Sequence, residues 1–244
     1  MNITWILCKR ELRSYFSTPI AYVFIVVFLL ISGMATFYIG NFFGRGQADL
    51  VPFFNFHPWL YMIFIPAISM RLWAEERKSG TIELLFTLPI TTWQAIYAKY
   101  LAALIFTGIT LTLTFPLWVA VNYLGHPDNG VIIAGYIGSL LMAGAFLAIG
   151  AAISALTKNQ VVAFVLTLVV CLFMNLLGFS MVIDQVRSFM PSMMYETLRS
   201  FSFLTNFDTI SRGLLDFRSI IYFATLIVFS LFANAVIIET KKAD

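Results

Sequence analysis

Charged residues are scarce in this chain of 244 residues. They make up 11% of it, and 60% of the residues are hydrophobic, whereas soluble domains carry roughly a quarter charged residues. The mean hydropathy is +0.89. The formal net charge is only +3 and no segment is strongly basic, which excludes nucleic acid as a partner. The composition therefore predicts an integral membrane protein embedded in the lipid bilayer.

Residues that commonly carry metal binding or redox chemistry are also few. The chain has two cysteines and two histidines, and none of them falls in a metal-binding spacing. Cys8 precedes the first apolar run and Cys171 lies inside a later one, so we expect no disulfide. His57 and His126 each precede a proline, and we interpret both as polar residues at the membrane interface. We expect neither a metal site nor a cofactor in this chain.

Motifs of nucleotide hydrolysis and of membrane proteolysis are absent. No Gly-x-x-x-x-Gly-Lys-Ser/Thr run occurs, so no loop of this kind can cradle phosphates. The His-Glu-x-x-His pattern is missing as well. The pair Glu75 and Glu76 fits the start of a Glu-Glu-x-x-x-Arg protease motif, but Gly80 stands where its arginine belongs. We predict that the chain is not an enzyme.

Six apolar runs are long enough to cross a membrane, for which a helix needs about 20 residues. The predicted spans are 19–40, 56–73, 94–123, 131–156, 160–183 and 218–239. Small residues crowd the fourth span, which we therefore expect to pack closely against its neighbours. The predicted fold is an all-α membrane protein with six transmembrane helices in a single domain, 1–244.

Basic residues are distributed unequally between the two sets of connecting segments. Ten lie near the N-terminus, between the second and third spans, after the fourth span and in the C-terminal tail, against five in the other segments. Lysine and arginine concentrate on the cytoplasmic side of membrane proteins. We therefore expect a multi-pass protein of the inner (cytoplasmic) membrane with both termini in the cytoplasm.

Residues 2–16 can form a helix before the first span. Its apolar stripe holds Trp5, Cys8, Leu12, Tyr15 and Phe16, with Lys9 and Arg13 beside the stripe. This pattern favours a helix that lies along the inner leaflet, anchored by Trp5, Lys9, Leu12 and Arg13. A plain basic flank of the first span is the alternative.

The densest charge in the chain lies in the cytoplasmic loop 74–92. We predict a solvated charged turn with a hinge at Gly80, then a short amphipathic helix that places Ile82, Leu85 and Phe86 on one face. Thr91 and Gln94 predict a capping box at the start of the third span. An ordinary connecting loop explains these residues equally well.

The segment 184–217, on the outer side, is long for so compact a chain. It carries an amphipathic helical pattern that includes Met193, Met194, Leu198 and Phe201, followed by a second short helix predicted from Asp208 to Leu215 and closed by Gly213. We interpret the pair as re-entrant helices that close the outer end of a pathway. A pair of interfacial helices resting on lipid is the alternative.

The run from Trp73 to Leu85, followed by Leu88-Pro89, resembles the signature of permease subunits of type-2 ATP-binding-cassette (ABC) exporters. That signature is an acidic-basic cluster, Gly-Thr, an acidic residue, two leucines and a later Leu-Pro between spans two and three. The six-span layout and the late Asn206-Phe207-Asp208 are similar too. The nearest likeness is to the small permeases of gliding motility and copper-enzyme maturation.

The resemblance implies a coupling helix that docks on a separate ATPase subunit, which binds the ATP and Mg. The residues that would meet or position that subunit are Glu75, Glu76, Arg77, Lys78, Ser79, Gly80, Thr81, Ile82, Glu83, Leu85 and Phe86. It also implies export, a second permease copy or a homologous permease, and an extracytoplasmic auxiliary subunit. The alternative is a membrane scaffold or mechanical relay that the same ATPase drives without a transported substrate.

Overall fold

The fold is taken from a computed structural model of the chain. The structure describes residues 3–87 (Phe86 by its backbone alone), 89–179, 197, 199–213 and 216–241. Met193, Met194 and Leu198, three of the residues predicted for the outer gate, lie outside this part. The described residues form helices and short connections, and no strand occurs among them. The prediction of an all-α membrane protein is thus confirmed.

The helices are numbered here in chain order. They are α1 (Ile3–Ser17), α2 (Pro19–Met34), α3 (Val51–Ser69), α4 (Arg71–Ser79), α5 (Thr81–Thr87), α6 (Thr92–Thr112), α7 (Phe115–Leu124), α8 (Asn129–Leu156), α9 (Gln160–Leu176), α10 (Phe203–Ser211) and α11 (Phe217–Thr240). One turn of π-helix, Ala35–Ile39, extends α2.

Five helical segments of the described chain are long and apolar enough to cross a membrane. They are Pro19–Ile39, Val51–Ser79, Thr92–Leu124, Asn129–Leu156 and Phe217–Thr240. The helix at the fifth predicted span, Gln160–Leu176, is apolar but shorter, and residues 180–183 of that prediction lie outside the described part. The six-span count stays a prediction.

Helix α8 lies at the centre and contacts α3, α4, α6, α9, α10 and α11. Its glycines allow this closeness, because a Cβ at Gly135 would come within 2.5 Å of the Phe54 ring. A Cβ at Gly150 would come within 2.0 Å of the Ser69 hydroxyl. The expectation that small residues make this the packing helix is confirmed.

The helices differ in two places from the predicted spans. The helix of the second span starts at Val51, before residue 56, because Pro52 suits a first helical turn and Asp49 accepts a hydrogen bond from the Val51 N–H. The third span was predicted as one helix, but α6 ends at Thr112 and α7 starts at Phe115. Pro116 sits in the first turn of α7, where its missing N–H costs nothing.

The interpretation of His57 was also wrong. It lies within α3, fully buried, and aromatic rings surround it rather than an interface. Its neighbours are Phe28, Phe53, Phe54, Tyr61 and Phe207. Neither ring nitrogen has a hydrogen-bond partner among the described residues.

Helix α1 forms as predicted, but its apolar stripe does not face only lipid. Leu7 and Cys8 are buried against Ala98 and Ala102 of α6, and Tyr15 stacks on Phe106. The predicted helix Asp208–Leu215 instead begins at Phe203, because the Ser202 hydroxyl caps it by accepting a hydrogen bond from Thr205 N–H.

Candidate functional site

The candidate site is the end of the helix bundle where α3 turns into α4. Met70 is the residue between the two helices, and the hydroxyl of Ser154, on α8, forms hydrogen bonds there. This hydroxyl accepts hydrogen bonds from Trp73 N–H and Ala74 N–H, each at 3.1 Å, and donates to Met70 C=O at 2.9 Å. Ser154 therefore satisfies backbone groups that the start of a helix leaves open, but it does so from another span.

A charge cluster ties α4 to two further helices. Lys99, on α6, is 6% exposed in its side chain and forms ion pairs with Glu76 of α4 at 2.8 Å and with Glu11 of α1 at 3.2 Å. Its ammonium also lies 5.3 Å from the ring centre of the buried Trp73. Because buried charges persist only when paired, Lys99 fixes the relative positions of α1, α4 and α6.

Glu11 responds to this environment. Burial on its own would raise the pKa of the Glu11 carboxyl, but Lys99 and Arg10 beside it outweigh burial. The pKa of Glu11 consequently lies below its ordinary value. Glu11 is therefore ionised near neutral pH and holds α1 against α6.

The carboxyl end of α8 is capped by two cations. Arg77 of α4 donates a hydrogen bond to Ala155 C=O, and Lys241 donates one to Leu156 C=O. Cations are favourable there, because the last carbonyls of a helix carry partial negative charge. The described chain thus brings α1, α4 and the carboxyl ends of α8 and α11 to the same end of the bundle.

Gly80 separates the fastened helix α4 from α5. Its φ of 74° lies in the left-handed region, where glycine is favoured, and it ends α4 in the manner of a glycine cap. The predictions of a bend at Gly80 and of a short helix after it are confirmed. The predicted solvated turn before it was wrong, because Arg71–Ser79 is helical and Ser154 caps its start.

The predicted docking residues divide into two groups. Glu76 and Arg77 turn inward and bond within the protein, and Leu85 is buried. Ile82 is half-buried, and the side chain of Phe86 lies outside the described part. The exposed members are Glu75, Lys78, Ser79, Gly80, Thr81 and Glu83. A docking role for any of them stays a prediction.

A groove of about 770 Å³ separates part of α5 from the ends of α8 and α11. Ile82 and Thr87 line one side of it, and Leu156 and Ile238 line the other. Leu84, on α5, is 66% exposed. This arrangement leaves α5 with an apolar side chain that the described protein does not cover.

The re-entry into the membrane is as predicted. The Thr91 hydroxyl accepts from Gln94 N–H at 3.2 Å, and the Gln94 side chain accepts from Thr91 N–H at 3.0 Å. This capping box gives α6 a defined start, with only four residues between it and the end of α5. Helix α5 therefore lies between two fixed points, α4 before it and the capped start of α6 after it.

The remaining predicted site residues lie outside helices α4 and α5. Trp5, Lys9 and Arg13 are exposed on α1, and Leu12 is half-buried against α6. Phe201 is 53% exposed just before α10. Among the described residues no group of three or more His, Cys, Asp or Glu side chains could hold a metal ion.

Three residues of this end were missed as site residues at the sequence level. Lys99 was counted only as a basic residue, and Ser154 looked like one more small residue of a packing helix. Leu84 was not assigned to the predicted apolar face of Ile82, Leu85 and Phe86. A lysine seven residues inside an apolar helix was the one available signal, since such a charge needs partners.

The fold and the site define a multi-pass helical membrane protein with an anchored helix pair exposed at one end of its bundle. Residues 46–238 match the sequence model of a family described as ABC-2 family transporter protein. The match covers most of the chain, which therefore belongs to this family. No curated protein matches the chain.

Family membership gives the chain a coarse role. It is the permease component of an ABC transporter, a membrane transport component that is not itself catalytic, and it implies an ABC ATPase subunit as partner. The resemblance to type-2 permeases is thereby confirmed. The nearer likeness to gliding-motility and copper-enzyme-maturation permeases stays a prediction.

Proposed function

We propose that this chain is the permease of an ABC exporter and that the ATPase subunit docks on the exposed side of α4 and α5. The observation that carries this proposal is Leu84. Its side chain is 66% exposed on α5, and the preceding helix α4 is held in place by α1, α6 and α8. Leu84 therefore offers a partner an apolar anchor next to a fixed helix.

The exposed charges around Leu84 suit the rim of such an interface. Lys78 and Glu83 are exposed on either side of the Gly80 bend, and no ion pair engages them within the described chain. Charges of this kind set partner choice and association rate more than affinity. ATP and Mg bind to the partner subunit, and closure of the partner on ATP moves α5 and α4.

The same proposal includes the orientation and the assembly. The end that carries α4 and α5 faces the cytoplasm of the inner membrane, with both termini, and the exposed Trp5, Lys9 and Arg13 hold α1 at the lipid surface. Two permease copies, or this chain and a homologue, enclose the pathway. Phe201, with Met193, Met194 and Leu198, closes its outer end, where an auxiliary subunit binds.

Site-specific photo-crosslinking tests the docking surface. A photoreactive residue replaces Leu84 in tagged chain in its native membranes, and Tyr123, 90% exposed at the far end of α7, receives the same replacement as the control. We expect position 84 to yield an adduct with a protein that carries a Gly-x-x-x-x-Gly-Lys-Ser/Thr loop and hydrolyses ATP. Position 123 should not give this adduct. If neither position captures such a protein, docking at α5 is wrong.

A further inference from the structure

The start of α4 is held by Ser154 as well as by its chain connection to α3. Helix α3 leads directly into α4, but Pro66 lies within its last turn and leaves the carbonyl of Met62 without its usual helical partner. Proline inside a helix is a common site of bending. Ser154, in contrast, makes three hydrogen bonds here, one to the carbonyl of Met70 and two to amides in the first turn of α4.

Close packing reinforces this contact. At Gly150, one turn before Ser154, a Cβ would come within 2.0 Å of the Ser69 hydroxyl and 2.5 Å of its Cβ. Arg77 adds a hydrogen bond from α4 to Ala155 C=O. The corner between α3 and α4 is therefore joined to the last two turns of α8 on both sides of Met70.

The other half of α8 holds α10 in a similar way. A Cβ at Gly138 would come within 2.8 Å of the Ile210 side chain, and Phe207 lies beside the same position. Phe207 and Ile210 are both buried. Between Gly138 and Ser154 the helix runs for about 24 Å, at 1.5 Å per residue, and this stretch holds no proline.

We infer that Ser154 is the positioning residue that joins α4 to α8, and that α8 carries a displacement of α4 to α10 on the other side of the bundle. The inference rests on the proposed docking of an ATPase subunit at α5. Helix α8 moves as a rod because it is uninterrupted over 28 residues and mostly buried. Helix α3 also leads into α4 and contacts α10, so the Ser154 variants below test whether the displacement passes through α8.

The test places a reporter on α10 and follows its response to nucleotide. Arg212, whose side chain is 70% exposed, is replaced by cysteine, while the native Cys8 and Cys171 are buried at 1% and 0%. The chain is reconstituted with its ATPase subunit in nanodiscs. The rate of maleimide labelling is measured without nucleotide and with ATP and vanadate.

We expect nucleotide to change the labelling rate at Arg212→Cys. Ser154→Ala removes the three hydrogen bonds and should reduce this change about two- to thirtyfold, the range typical of residues on a coupling route. Ser154→Thr keeps a hydroxyl and should restore the response. Ser139→Ala is the matched control, since Ser139 is equally buried in α8 and its hydroxyl has no partner within the described chain.

Hydrogen exchange and a second variant keep the test decisive. Exchange at the Trp73 and Ala74 amides should speed up in Ser154→Ala and not in Ser139→Ala. Should Ser154→Ala fail to assemble, Arg77→Gln removes the other tie between α4 and α8 and should weaken the same response.

The outcomes separate the two proposals. A chain that forms no complex with an ATPase subunit contradicts the proposed function. A complex in which Ser154→Ala and Arg77→Gln respond to nucleotide like the unaltered chain overturns the inference alone. A complex whose Arg212→Cys reporter never responds to nucleotide overturns it too, because α8 then carries no motion to α10.

Discussion

Helices α4 and α5 are neighbours in the chain but differ in what holds them. Helix α4 is fixed to α8 by Ser154 and to α1 and α6 through Lys99. Helix α5 follows Gly80 with most of its described side chains exposed and a groove along part of it. The comparison shows that most of the charged residues belong to α4, the helix that is fixed to its neighbours. Helix α5 has fewer charges and more of its surface is exposed.

This contrast changes the meaning of the charged stretch. Opposite charges close together in sequence suggested a solvated loop, but Glu76 and Arg77 direct their charge to contacts inside the protein. Charge reversal at Glu76 is therefore a test of folding rather than of docking. A test of docking must act on exposed side chains, such as Leu84 of α5.

The largest effect should come from Glu76→Lys. The new ammonium would face Lys99, which is 6% exposed, and Lys99 would lose its closest carboxylate. Breaking a buried ion pair costs about 3–5 kcal/mol, so the melting temperature of the purified chain should fall steeply. Glu83→Lys, an exposed charge reversal on α5, is the control and should leave it unchanged.

The double variant Glu76→Lys/Lys99→Glu sharpens the same point. It restores opposite charges across the contact, although it brings the introduced carboxylate close to Glu11, so partial recovery is expected. Equal melting temperatures for Glu76→Lys and Glu83→Lys would show that α4 is no more fastened than α5.

Leu84→Asp should act on docking alone. Removal of an apolar anchor from an interface typically costs about 2 kcal/mol or more, so the affinity for the ATPase subunit should fall about thirtyfold. The melting temperature of the isolated chain should not change, because Leu84 is 66% exposed. Leu124→Asp, which alters a leucine that is 55% exposed at the end of α7, should leave the affinity intact. A loss of affinity in both variants would contradict a docking surface on α5.

Gly80→Ala tests the joint between the two helices. The added Cβ would meet nothing within 4 Å, so only the backbone at φ 74° resists the change. A left-handed conformation costs a non-glycine residue about 1–2 kcal/mol, and thermal melting should record that loss. Gly33→Ala, in an equally open place within α2, should be neutral or stabilising. Equal melting temperatures for Gly80→Ala and Gly33→Ala would contradict a special need for glycine at position 80.

The smallest effect concerns acid. The pKa of Glu11 is lowered in the folded chain, so its contribution to stability is complete above the ordinary value of 4.5 and disappears as pH falls through the lowered pKa. Glu11→Gln should therefore cost up to about 1 kcal/mol near neutral pH and progressively less in acid. The difference in melting temperature between the two chains, followed against pH, measures it. If the difference in melting temperature does not shrink in acid, the ionised Glu11 carboxylate does not stabilise the charge cluster.

Features that depend on neighbouring residues were predictable from the sequence. The capping box of Thr91 and Gln94, the bend at Gly80 and the apolar spans are of this kind, since each follows from residues a few positions apart. The family signature was legible for the same reason. The first outer helix, which includes Met193 and Met194, falls largely on residues that the structure does not describe, so it stays a prediction.

Features that depend on distant residues were not predictable. Nothing near Met70 shows that Ser154 will cap the helix after it, and nothing near Glu76 shows that Lys99 will turn it inward. The start of α3 was missed because the predicted span began only at residue 56, whereas the helix begins at Val51.

The order in which the chain is synthesised means that the two sets of contacts that hold α4, the Lys99 ion pairs and the Ser154 hydrogen bonds, can form at different times. Glu11 and Glu76 leave the ribosome before Lys99, so the ammonium that α6 brings into the bilayer meets both carboxylates at once. Ser154 follows Trp73 by 81 residues. Until α8 is inserted, the amides at the start of α4 depend on water, whereas Lys99 can already pair with the carboxylates of Glu11 and Glu76.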